Sequence, residues 1–129
     1  MTLNSRPSPP SIPSLFRKQG EIWLVNLDPT VGSEINKARP AVIVNDDALG
    51  RLPLKVVVPF TDWKDRYAAA AWMVKVEPNA KNQLSKPSAA DCFQVRSVSR
   101  ERLSKKIGTL DLETMSKIRR ALALVFSIN

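Results

Sequence analysis

The apolar periodicity of this chain changes once, at Asp111, and that change constrains its fold more than any other feature. Upstream, every apolar run is strand-sized: Glu21–Leu27, Ala41–Asn45, Leu54–Phe60, Ala71–Glu77, two shorter runs around Ala89–Phe93 and Gln94–Ser99, and Lys105–Leu110. Several are rich in Val and Ile, and the early ones are bounded by Asp28-Pro29, Asn45-Asp46-Asp47 and Gly50, so they read as strands between turns. Ala71–Glu77 sets Trp72, Val74 and Val76 against Met73, Lys75 and Glu77, the pattern of a half-buried strand. Trp23 and Trp72 both fall in such patterns and are expected in the core. Pro59 must fall at a strand end or where no ladder donor is needed. Downstream of Asp111 the apolar positions are Leu112, Met115, Ile118, Leu122, Val125 and Phe126, steps that describe one helix face. Asp111 suits the N-cap, and Glu113 the first turn, where the helix dipole favours an acid. Short strands followed by one helix predict a mainly β fold, a small β-barrel with a C-terminal helix sealing one end.

Residues 1–18 stand apart, with four of the ten prolines, three basic residues and no acid. Prolines 7, 9, 10 and 13 exclude a regular helix or a central strand there. This stretch is expected to be a flexible, basic, Pro-rich arm, with residues 19–129 as the folded domain. It holds no continuous apolar segment of the secretory type. No apolar run approaches the ~18 residues of a membrane-spanning helix.

Two scarcities bound the chemistry. The chain has no histidine, which removes Ser-His-Asp and Cys-His machinery, histidine general acids and bases, and imidazole metal sites. It has a single cysteine, Cys92, which can form neither an internal disulfide nor a zinc site alone. Without histidine to activate it, Cys92 is expected to be a buried small residue, and a reducing cytoplasm fits this usage. The net charge is +8, and removing the arm's three basic residues leaves +5 on residues 19–129. That balance favours a polyanionic partner, nucleic acid or an acidic protein. The glycines at 20, 32, 50 and 108 are too dispersed for a phosphate or dinucleotide loop.

Gly20–Asn45 reads GEIWLVNLDPTVGSEINKARPAVIVN. This segment strongly resembles the opening of the MazF/PemK family of toxin endoribonucleases, in a G-[DE]-I-[WY]-x-[VA] strand, a D-P-T-x-G-S-E loop and an R-P-[AV]-[VL]-[VI] strand. Val56–Thr61 (VVVPFT), Cys92–Ser99 (CFQVRSVS) and Lys106–Leu110 (KIGTL) resemble later segments of the same family, so the likeness covers residues 19–127. It implies a small SH3-like β-barrel of PemK/CcdB type with a C-terminal helix. It also implies a homodimer, a cognate acidic antitoxin, and metal-independent cleavage of single-stranded RNA, with mRNA as the expected target. No cofactor is expected. The products would be a 2′,3′-cyclic phosphate and a 5′-hydroxyl.

Such cleavage must take the proton of the 2′-hydroxyl, stabilise a dianionic transition state and protonate the 5′-oxygen. Arg39 is the candidate for the charge, because a guanidinium binds two phosphate oxygens and is always ionised. It matches the family's catalytic arginine. Thr61 matches the family's catalytic threonine, and its hydroxyl suits positioning better than proton abstraction. Glu34 is the loop carboxylate nearest Arg39 in sequence; it accepts the 2′-hydroxyl proton, orients Arg39, or structures the loop. Lys37, Lys64, Arg66 and Arg96 are candidates to line an RNA groove, with Gln94 from the matching strand. Trp63 either stacks a base or covers a barrel end. Asp62 and Asp65 are expected to cap or solvate their turn.

The chain departs from the family at Phe93, where many members carry an acid before the glutamine; the nearest acid here is Asp91. Two other readings stay open on sequence: a CcdB-like toxin that binds DNA gyrase without cleaving, and an inactive relative that only binds RNA or antitoxin. The Arg39 and Thr61 motifs favour the nuclease.

Overall fold

In a computed structural model describing residues 17–129, seven strands precede one helix. They are β1 (Glu21–Asn26), β2 (Ala38–Ile43), β3 (Leu54–Asp62), β4 (Met73–Val76), β5 (Ser88–Asp91), β6 (Arg96–Ser99), β7 (Leu103–Thr109) and α1 (Leu112–Val125). The expected arm lies, but for its last two residues, outside the described residues. Those two are attached to the domain. The Arg17 guanidinium lies 4.7 Å over the Trp23 ring, and the Lys18 N–H donates to Glu21 Oε1 at 3.0 Å.

All pairings are antiparallel, in the order β4-β5-β3-β2-β1-β7, with β6 also on β3. The long strand β3 takes two partners end to end along one edge. Its pairing with β6 ends at Val57↔Arg96, and its pairing with β5 begins at Phe60↔Ala90. Pro59 falls in the gap between them and faces Ala41 on the other side, so its missing N–H costs the ladder nothing.

Neighbouring residues on the central strands serve opposite cores. Trp23, Val25, Ala41, Ile43 and Val57 join Val98 and Leu103 in one cluster; Ile22, Val42, Val58 and Phe60 join Val74, Val76 and Ala90 in the other. Side chains alternate across a strand, so a sheet buried on both faces reads as an unbroken apolar run, as these strands do. Full burial of each Val, Ile or Phe contributes roughly 1.5–3 kcal/mol. The hydrogen-bonded ladder is open rather than a closed barrel among the described residues. β6 and β7 are joined by a 3-10 turn at Arg100–Arg102, and Val98 and Leu103 on either side of it fill the inner core.

Helix α1 starts where expected. The Asp111 side chain accepts from Thr114 N at 2.6 Å, and this bond holds its carboxyl below the usual carboxylate range. The buried face is Met115, Ile118 and Ala121, which closes the second core. Leu112 and Phe126, expected on that face, are 82% and 58% exposed, because the contact spans only the middle turns.

Other boundaries differ from the sequence reading. β4 is only Met73–Val76, so Trp72 precedes the alternation and is 40% exposed instead of core; it packs on Phe93 with ring centroids 6.0 Å apart. The two short strands around residues 89–99 are separated by a 3-10 turn at Cys92–Gln94, capped by Asp91, whose side chain accepts from Phe93 N at 3.1 Å. Among the described residues, no helix is long and apolar enough to cross a membrane.

Candidate active site

The register between β2 and β3 builds the centre of the site. Ala41 pairs with Pro59. Two residues further along each strand stand Arg39 and Thr61, which therefore share a face of the sheet. Both line a cleft of about 370 Å³ together with Lys37, Pro40, Phe60 and Asp62. The loop between β4 and β5 also lines it, through Gln83 to Lys86.

That loop is held by a buried Asn82. Its Nδ2 donates to Glu77 O at 2.8 Å, and its Oδ1 accepts from Asn79 N and Leu84 N, each at 3.0 Å. The loop also rests on β7 at Gly108. A Cβ there would come within 2.4 Å of Asn82 O, so only glycine lets the loop approach. Lys86, which the sequence reading passed over, enters the cleft mouth and bridges Asp62 at 2.9 Å. Its position follows from the Asp62↔Ser88 pair, a register the sequence alone does not display.

Arg39 is half-buried, and its Nε donates to Asn36 O at 3.2 Å. Between these residues Lys37 adopts φ 66°, a left-handed conformation. The β1–β2 loop is pinned at its start by two arginines. Arg96 Nη1 donates to Leu27 O at 3.1 Å, and Arg102 Nη1 donates to the carbonyls of Asn26 and Asp28. Arg102 escaped the sequence reading, since nothing local in its surroundings marks a contact with β1.

Glu34 is not brought to Arg39. Its Oε1 accepts from Val31 N at 2.5 Å, a bond that turns its own loop. It lines a neighbouring cleft of about 570 Å³ with Ser33, Ile35, Pro59, Phe93, Gln94, Val95 and Arg96. Gln94 joins that cleft to the loop: its Oε1 accepts from Ile35 N at 2.6 Å, and its Nε2 donates to Asp91 Oδ2 at 3.2 Å and to Ser33 O at 3.4 Å. Burial raises the carboxyl pKa of Asp91 above the usual range, against the hydrogen bonds it accepts there.

Trp63, Lys64 and Arg66 line neither cleft; they begin just after Asp62, at the end of β3 and in the turn that follows. The Trp63 ring meets Tyr67 edge-on at 5.9 Å and carries Lys75 Nζ 5.1 Å from its centroid, while Arg66 lies over Tyr67 at 5.5 Å. Cys92 is buried, and burial beside Asp91 pushes its thiol up to about 12, which keeps it protonated and unreactive. Among the described residues no three Asp, Glu or Cys side chains gather as a metal-binding group.

Residues 18–126 match the model of a family described as PemK-like, MazF-like toxin of type II toxin-antitoxin system. The chain is 33% identical over 114 residues to Endoribonuclease MazF9 of Mycobacterium tuberculosis, covering 83% of this chain and 93% of that protein. Its fold is similar to the crystal structure of MazF from Deinococcus radiodurans, with TM-score 0.71, 19% identity, and coverage of 85% of this chain and 96% of that one. It is likewise similar to a mycobacterial endoribonuclease solved in complex with its cognate antitoxin, with TM-score 0.69, 19% identity, and coverage of 87% and 96%.

Proposed function

This chain belongs to the PemK-like, MazF-like toxin family of type II toxin–antitoxin systems, and from that premise we propose that it is a cytoplasmic endoribonuclease that cuts single-stranded RNA, mRNA first, at short motifs and without metal. The observation that carries the reading is the placement of Arg39 and Thr61 on one face of adjacent strands, in one cleft.

In this reading the ribose 2′-oxygen attacks phosphorus and the bond to the 5′-oxygen breaks. The 2′-hydroxyl proton leaves to a base, and the 5′-oxygen gains a proton, giving a 2′,3′-cyclic phosphate and a 5′-hydroxyl. Arg39 offsets the charge that develops on the phosphoryl oxygens, the contribution that matters most in a transition state of this kind. Thr61 donates a hydrogen bond to the phosphate and fixes its orientation. The Glu34 carboxylate is engaged with the Val31 N–H and faces the other cleft, which supports a loop-building role over proton abstraction.

Lys37 lines the same cleft as Arg39, which supports a phosphate contact there. Lys64 and Arg66 add positive charge in the segment after β3, and Arg96 lines the second cleft, where an unstacked base has room. The family description supports a cognate antitoxin as inhibitor, and the net charge of +8 favours an acidic one. The exposed apolar side chains of Trp72, Phe93 and Leu124 support pairing of two copies.

The test is cleavage of a long single-stranded RNA in EDTA by wild type and Arg39→Ala, with mapping of the product ends. Cuts at one short motif, cyclic-phosphate ends and loss of cutting in the variant are expected. A correctly folded wild type that leaves RNA intact overturns the reading, and gyrase inhibition becomes the next assay.

A further inference from the structure

A line of hydrogen bonds runs from a buried carboxylate to the guanidinium of Arg39. Asp91 Oδ2 accepts from Gln94 Nε2 at 3.2 Å, Gln94 Oε1 accepts from Ile35 N at 2.6 Å, and, one residue further along the backbone, Asn36 O accepts from Arg39 Nε at 3.2 Å. We propose that Gln94 is a positioning residue for Arg39: its side-chain amide pins the β1–β2 loop at Ile35 and so fixes the carbonyl that aims the guanidinium into the cleft. The inference rests on the reading of Arg39 as the phosphate-binding group.

Three observations carry it. First, the amide of Gln94 is engaged at both ends by protein, since Nε2 also donates to Ser33 O at 3.4 Å. A glutamine that read an RNA base would first have to abandon these partners. Second, the loop needs an external hold where Gln94 grips it. Lys37, directly after Asn36, has φ 66°, a left-handed backbone state that crowds a residue carrying a Cβ. Such a state persists where the surroundings over-determine it. Third, the bond is made by Nε. A guanidinium held at Nε keeps both terminal nitrogens, Nη1 and Nη2, for two phosphate oxygens in the forked geometry that arginine offers.

Asp91 sets which way the Gln94 amide points. It is 6% exposed, and its other oxygen, Oδ1, accepts from Phe93 N at 3.1 Å. An acceptor in that place obliges Gln94 to present its NH₂ to Asp91 and its oxygen to Ile35. The arrangement also gives Asp91, at the end of β5, a use beside the 3-10 turn that carries Phe93.

The polarity of this line makes a test that a packing role would not pass. Gln94→Ala removes the hold. Gln94→Glu keeps an acceptor for Ile35 N but sets a carboxylate against Asp91. The double variant Asp91→Asn, Gln94→Glu reverses donor and acceptor between the two positions; it restores the bond between them, and of the two oxygen–oxygen contacts that Gln94→Glu creates it leaves only the longer one, to Ser33 O. We would measure kcat and KM on a short RNA, hydrogen exchange of residues 31–36, the NMR signal of the Arg39 Nε–H, and thermal unfolding.

Expected for Gln94→Ala and Gln94→Glu is a kcat lowered about 10–100-fold, since a catalytic group misplaced by about 1 Å costs on that order. KM stays within about threefold, exchange at 31–36 quickens, the Nε–H signal shifts, and unfolding stays cooperative. The double variant recovers most of the kcat and the protection of the loop. Unchanged exchange and an unchanged Nε–H signal in Gln94→Ala overturn the proposal. So does a raised KM at constant kcat, which marks Gln94 as an RNA contact, and so does a double variant no better than Gln94→Glu. If Arg39→Ala cuts RNA as well as wild type, the catalytic reading fails instead, while loop exchange and the Nε–H signal still decide whether Gln94 positions Arg39.

Discussion

Arg39 and Thr61 reach one cleft because Ala41 and Pro59, two residues inward on each strand, are directly paired. Strand parity sets their common side, and no loop rearrangement is needed to bring them together. The rate should therefore respond to their chemistry more than to the fold around them. Thr61→Val, close to isosteric, should leave thermal stability within about 1 kcal/mol and lower single-turnover cleavage about 100-fold, the usual cost of losing one donor to a transition-state anion. Arg39→Lys keeps the charge but loses the planar fork and the Nε bond to Asn36 O. It should fall at least as far, with RNA affinity by filter binding little changed. Full single-turnover rates in either variant would refute this account of the cleft.

Part of the cleft's lining depends on a glycine distant from it in sequence. At Gly108 a Cβ would stand 2.4 Å from Asn82 O and 2.7 Å from Lys81 O. These are backbone atoms, so Gly108→Ala must displace the loop as a unit. Overpacking of this kind costs about 1–3 kcal/mol. Urea unfolding should show that loss, and cleavage should drop with it, because Gln83 to Lys86 line the cleft that holds Arg39 and Thr61. Gly50→Ala meets only Asp47 O closely, far from the cleft, and should spare the rate of the folded protein.

These two cases divide what the sequence displays from what it hides. Arg39 and Thr61 stood out only through their family motifs, since both lie just outside the apolar runs read as strands; that β2 and β3 extend to include them, and set both in one cleft, shows only in the structure. The helix was legible from its period alone: Met115 and Ile118 are three residues apart and both buried. Trp72 misled because alternation continues in the letters one residue before the backbone of β4 begins to pair. Lys86 and the loop around Asn82 were invisible because their place depends on the β3–β5 register and on the space over Gly108. Gln94 was legible as a family position but not in its contacts, since its bond to Ile35 spans 59 residues. Burial and long-range pairing, absent from any local pattern, account for each miss.

Lys37 offers a test in which stability and RNA binding should move apart. Its φ of 66° costs a lysine roughly 1–2 kcal/mol and glycine almost nothing, although glycine carries more freedom into the unfolded chain. Lys37→Gly should raise stability by about 0.5–1 kcal/mol in thermal unfolding. If Lys37 meets a phosphate, the same change should weaken RNA binding and reduce the slope of log affinity against log salt by about 0.7, the value for one single-strand contact. A more stable variant with an unaltered salt slope would remove Lys37 from the RNA path.

The cap at Asp111 fixes the sign of one pH effect. Its bond to Thr114 N at 2.6 Å holds the carboxyl pKa below its usual value in the folded chain. A carboxyl depressed on folding stabilises the fold above its unfolded pKa, near 3.8, and that contribution is lost as pH falls through the lower, folded value. At neutral pH, Asp111→Ala should cost about 1 kcal/mol, as cap deletions do, and Asp111→Asn only a few tenths, because asparagine caps almost as well. Asparagine does not titrate. The gap between wild type and Asp111→Ala should therefore narrow between pH 5 and pH 2, while the gap between Asp111→Asn and Asp111→Ala stays constant. Urea unfolding of the three proteins across that range measures both gaps. Parallel curves for wild type and Asp111→Ala down to pH 2 would mean that the carboxylate charge contributes nothing to the start of α1.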